Sequence, residues 1–111
     1  MKIFISCSFN PSNMFIIDLT KSICKMYRMD AFVSGETEAD NLPENIRRHI
    51  KGSDAFFAIV SKEQSAWVQS EIGMAYEAGI PIYAIAEEGS NVGILKHITI
   101  YKLFELNNKK T

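Results

Sequence analysis

The chain has 111 residues, 47% of them hydrophobic and 23% charged, with three prolines and six glycines; this is the composition of one globular domain spanning 1–111. Twelve Lys plus Arg against thirteen Asp plus Glu leave a formal net charge of −1, which provides no electrostatic footprint for nucleic acid. No apolar run approaches the ~20 residues needed to span a bilayer, and the opening Met1-Lys2-Ile3-Phe4-Ile5-Ser6 carries no signal-peptide cleavage pattern, so a cytoplasmic protein without membrane contact is expected. Cys7 and Cys24 are too few for a disulfide framework and too far apart for a CxxC zinc or redox motif. They are expected as small buried hydrophobes, and no metal site is expected.

In chain order, the first apolar run is Lys2 to Cys7, a strand. Pro11-Ser12-Asn13 then offers helix-start signals, and Phe15, Ile16, Leu19, Ile23, Met26 and Tyr27 recur at helical spacing. A second strand is predicted at Ala31 to Ser34. A short helix opens at Asn41-Leu42-Pro43-Glu44, with Pro just inside a capping residue, and buries Ile46 and Ile50 before Gly52 stops it. The third strand, Ala55 to Val60, is continuously apolar, as a strand covered on both faces should be. A third helix begins near Ser65, carries Val68, Ile72, Ala75 and Tyr76 on one side and ends at Gly79 before Pro81. Strands at Ile80 to Ile85 and Thr99 to Leu103, a weak helix over Asn91 to His97 and a frayed tail over 106–111 complete the reading.

This alternation predicts an α/β fold: a flavodoxin-like three-layer sandwich with a five-stranded parallel sheet in the order 2-1-3-4-5. Such sheets bind ligands beyond the carboxyl ends of their strands, at the switch point between the first and third. The segments placed there are Cys7 to Ser12, Gly35 to Pro43 and Ser61 to Glu71. A phosphoacceptor receiver would need an acidic pair after the first strand and an aspartate ending the third; Ser6-Cys7-Ser8 and Val60-Ser61 stand there instead. No GxGxxG or GxxxxGK loop exists. The Ser8-Phe9-Asn10-Pro11-Ser12 loop is compatible with holding a phosphate at a helix start, although the same residues are ordinary turn formers.

Ser61 to Ala75 is the informative stretch. Glu71 lies one helical turn after Val68 and one before Ala75, so it borders the apolar face. Desolvation beside Trp67 and Val68 is expected to raise its pKa; the competing expectation is a glutamate at a helix edge paired with a lysine. Gly73 in the same helix costs ~1 kcal/mol relative to Ala unless something approaches the backbone closely. His49 and His97 have no cysteine or carboxylate at ligand or triad spacing. Arg47, Arg48 and Lys51 form a small basic patch suited to solvent or to an acidic partner. Trp67 and Tyr76 flank Glu71, where they would either stack a base or pack the core, with packing favoured for Tyr76.

Ile3-Phe4-Ile5-Ser6, Gly52-Ser53-Asp54, Val60-Ser61, Ser65-Ala66-Trp67-Val68-Gln69-Ser70-Glu71-Ile72 and Gly79-Ile80-Pro81-Ile82, in that order, resemble a TIR (Toll/interleukin-1 receptor) domain over nearly the whole chain. The resemblance implies that Glu71 cleaves the nicotinamide N-glycosidic bond of NAD as substrate, with no separate cofactor, and that Gly35 to Pro43 gates the site. It also implies self-association in signalling or defence. The chain departs from the family in lacking a full final helix, and in having no basic residue in Cys7-Ser8-Phe9-Asn10. The same glutamate, in Glu71-Ile72-Gly73-Met74-Ala75-Tyr76 followed by Ala78-Gly79-Ile80-Pro81-Ile82, is also similar to nucleoside 2-deoxyribosyltransferases and nucleotide N-glycosidases, in which it attacks the anomeric carbon. The expected site therefore has Glu71 as its catalytic residue, with Ser6, Ser8, Phe9, Ser61 and Trp67 binding substrate. In a domain this small, a neighbouring copy is expected to help enclose a dinucleotide. A third reading is a non-enzymatic assembly module, with Gly35 to Pro43 and Arg47 to Lys51 as its surfaces.

Overall fold

A computed structural model describes residues 1–7, 14–34, 43–62, 66–87, 89 and 101–104, with 66 and 101–104 described by backbone alone. The elements are β1 (Lys2–Cys7), α1 (Met14–Met26), β2 (Asp30–Val33), α2 (Pro43–Lys51), β3 (Ala55–Val60), α3 (Ala66–Ala78), β4 (Ile82–Glu87) and β5 (Tyr101–Phe104). It is an α/β fold whose parallel sheet has the order β2-β1-β3-β4, as expected. The backbone of β5 runs parallel beside β4, from Ala84 opposite Tyr101 to Glu87 opposite Phe104. Asn91 to His97, the tail over 106–111 and Gly35 to Leu42 lie outside the described residues.

Strand pleating divides the core in two. Phe4, Phe56, Ala58, Val60, Ala84 and Ala86 face α2 and α3, where Ile46, Ile50, Val68, Ile72 and Ala75 close over them. Ile5, Cys7, Val33 and Ile59 face α1 and meet Ile17 and Cys24. Both cysteines are buried and free. In-register pairing places Phe32, Phe4 and Phe56 side by side across β2, β1 and β3, with ring centroids 5.3 and 5.4 Å apart. Nine residues are too few for a helix to persist in water by itself. α2 therefore depends on Ile46 and Ile50, one turn apart and fully buried, each contributing about 1.5–3 kcal/mol by burial.

Several expectations shift. β4 starts at Ile82, not Ile80, and runs two residues past Ile85. Gly79 ends α3 in the left-handed region (φ +76°), its N–H bonding the Ala75 and Tyr76 carbonyls. Pro81, which has no N–H to give a ladder, then enters the strand, its carbonyl accepting the Phe56 N–H. β2 occupies Asp30–Val33, leaving Ser34 just beyond it, and β5 starts two residues after Thr99. Tyr76 is exposed, because its position on α3 falls just outside the Val68, Ile72 and Ala75 stripe. In α1 the buried pair is Ile17 and Cys24, while Phe15, Leu19, Ile23 and Met26, and Tyr27 just after the helix, all stand exposed.

Candidate active site

Ser6 is the fifth residue of β1, follows the apolar run Ile3-Phe4-Ile5 and is completely buried. A hydroxyl sequestered from water needs a partner, and pleating turns Ser6 toward the side of the sheet covered by α3. One step beyond β2, Ser34 is buried on that side too; its N–H donates to the Ile5 carbonyl at 3.0 Å, continuing the ladder. The two strands end alike: Phe4-Ile5-Ser6 stands beside Phe32-Val33-Ser34, with Phe4 opposite Phe32 and Ile5 opposite Val33. Small hydroxyl residues at adjacent strand ends leave space under α3, and Glu71 fills it.

The Glu71 side chain has no solvent exposure. Ser6 Oγ donates to Oε1 at 2.6 Å, and Ser34 Oγ donates to Oε2. Trp67 Nε1, one turn earlier on α3, donates to Ser34 Oγ at 3.2 Å. The indole N–H can only donate, so the Ser34 oxygen accepts from it and the Ser34 proton is directed at the carboxylate. Burial pushes the Glu71 pKa above the ordinary carboxylate value, and hydrogen bonds from Ser34, Ser6 and Trp67 pull part of the way back by favouring the anion. Among the described residues the carboxylate is held by two hydroxyls, one of them backed by an indole N–H, so neutral donors stand where the competing expectation had a lysine. No group of three or more metal-ligating side chains occurs among the described residues.

Of the sequence-predicted site residues, Glu71, Ser6 and Trp67 thus come together. Ser61 is buried immediately after β3. Ser8 and Phe9 lie outside the described residues. Ser34 was legible only as the end of a strand, although the repeated Phe-x-Ser ending of β1 and β2 was available to signal it. Trp67 is half-buried and packs against the α2 and α3 core; its N–H serves the carboxylate cluster through Ser34. Gly73 is explained by no close approach, since a methyl group built there meets nothing within 4 Å. His49 is exposed and stacks on Phe32 with ring centroids 3.9 Å apart.

No protein-family model matches the chain, and no curated protein matches it in sequence. Among solved structures it is similar to the CMP N-glycosidase BcmB of Clostridium botulinum, with a TM-score of 0.70 over 94% of this chain and 89% of that one. The chain shares its fold with an N-glycosidase. At 17% identity the likeness is one of fold. It lies on the side of the weaker of the two resemblances in the sequence, that to nucleotide N-glycosidases, and adds nothing to the TIR reading.

Proposed function

We propose that the protein cleaves the N-glycosidic bond of a nucleotide, with Glu71 as the catalytic residue. The observation that carries this reading is the Glu71 carboxylate, sealed from water beyond the carboxyl ends of β1 and β2 and held by one hydroxyl on each oxygen. A carboxylate has about four lone-pair directions. Two are used by Ser6 and Ser34, which fix its orientation. As the bond from C1′ to the base nitrogen breaks, its electron pair leaves with the base, and positive charge grows on the ribose. Glu71 stabilises that charge or closes on C1′ as an ester, which water then opens to the free sugar phosphate while the base takes up a proton. The fold shared with a CMP N-glycosidase supports a nucleoside monophosphate as substrate.

The Ser-x-Trp-Val-x-x-Glu-Ile block supports a second substrate for the same carboxylate, NAD, whose cationic nicotinamide leaves as a neutral amine without a proton donor. Incubating the purified protein with nucleoside monophosphates, deoxyribonucleosides and NAD, and separating the products by chromatography, tests both. Release of free base from a nucleoside monophosphate is the expected result. Nicotinamide release alone would favour the TIR-like reading, and no release from any of them would leave an assembly module.

A further inference from the structure

α1 carries two apolar sides. Ile17 and Cys24 face the sheet, whereas Phe15, Leu19 and Met26, with Ser22 among them, lie on the opposite pole of the helix. Ile23 and Tyr27 extend the outer stripe toward a groove of about 530 Å³ lined by Thr20, Ile23, Phe57 and Tyr83. β4 alternates so that Ala84 and Ala86 face α3; Tyr83 accordingly stands on the α1 side of the sheet. The exposures are 72% for Phe15, 47% for Leu19, 43% for Ile23, 78% for Met26, 72% for Tyr27 and 57% for Tyr83. At ~200 Å² for each large side chain, these six present on the order of 700 Å². Isolated apolar side chains on a surface are ordinary, but six large ones on the α1 side of the sheet are more than scatter accounts for. Their exposed area approaches the ~800 Å² that each partner contributes to a standard interface.

We propose that this stripe is the contact through which two copies of the chain pair about a two-fold axis, their α1 helices antiparallel. The stripe is complementary to itself, as a two-fold contact requires. With the axis passing near Lys21 and Ser22, Leu19 of each copy meets Ile23 of the other and Phe15 meets Tyr27. Asp18 then runs alongside Lys25, placing opposite charges at the rim. Ser22 is small enough to let the helices approach, and a formal net charge of −1 offers little repulsion between copies. Pairing through this surface lies across the sheet from Glu71, so the second copy leaves the carboxylate side free and does not enclose the substrate.

Sedimentation or light scattering from micromolar to sub-millimolar protein measures the mass. The wild type is expected at twice 12.5 kDa and Leu19→Lys at the single mass with an unchanged circular dichroism spectrum. Ser22→Cys, on the exposed pole, keeps the test valid should Leu19→Lys fold poorly. With oxidised glutathione it is expected to yield a covalent dimer much faster than Glu77→Cys, which is exposed on α3 at the other side of the sheet; the native cysteines are buried. A wild type that stays at the single mass throughout overturns the proposal, even if it adheres to lipid vesicles or to another protein. So does cross-linking of Ser22→Cys no faster than that of Glu77→Cys.

Discussion

Glu71 has burial and hydrogen bonding acting on it in opposite directions. Burial raises its pKa by disfavouring the anion, whereas the Ser6 and Ser34 hydroxyls and the Trp67 N–H favour the anion and lower it part of the way back. The net effect is an upward shift, and its consequence for stability has a definite sign. The folded acid binds its proton at higher pH than the unfolded one, so the contribution is complete below the unfolded value and is lost as pH rises through the folded one. Glu71→Gln is therefore expected to melt no lower than the wild type at neutral pH, with any advantage narrowing as pH falls; thermal scans across pH check this. Trp67→Phe keeps the ring but removes the N–H that orients Ser34. The lost bond is worth ~1 kcal/mol, so roughly a fivefold fall in kcat/KM is expected, with the acid limb of the pH profile moving to higher pH. An unmoved limb would show that the indole acts only as packing. At this scale Glu71 and Trp67 were legible because a carboxylate bordering an apolar stripe is conspicuous. Ser34 was not, because one serine at a strand end resembles any turn former until strand register sets it beside Ser6.

The elements themselves follow from periodicity, and their ends follow from glycine and proline. α3 was readable from Val68, Ile72 and Ala75, but how deeply it sits depends on the small residues Ser6, Ser34 and Ala58 beneath it, which only sheet register brings together. α1 shows the complementary failure. Helical spacing of apolar residues identified the helix, yet two apolar sides compete there, and the pattern cannot say which one meets the sheet. Gly73 gives the sharpest test at this scale. It lies inside α3 with room for a methyl group and with helical backbone, so the glycine contributes only disorder to the unfolded chain. Gly73→Ala is expected to stabilise the protein by about 0.5–1 kcal/mol, a rise of roughly 4 °C in melting temperature. A fall would mean that the position is crowded in some state that the folded chain visits.

Over the whole molecule, the order β2-β1-β3-β4 was deducible because right-handed crossovers and short connections leave few alternatives. The same order determines where chemistry can occur: β1 and β2 end together beneath one helix, and the carboxylate between them is shielded from water by that helix. What the sequence does not convey is the identity of the substrate, because the residues that would grip a base or a phosphate are not announced by any spacing. The most direct measurement is therefore release of free base from CMP by the wild type and by Glu71→Gln, with circular dichroism confirming that both are folded. The expected result is cleavage by the wild type and a loss of at least about 100-fold in the variant, since the amide cannot oppose the positive charge on the ribose. A folded Glu71→Gln that releases base at the wild-type rate would contradict the assignment of this carboxylate to the reaction.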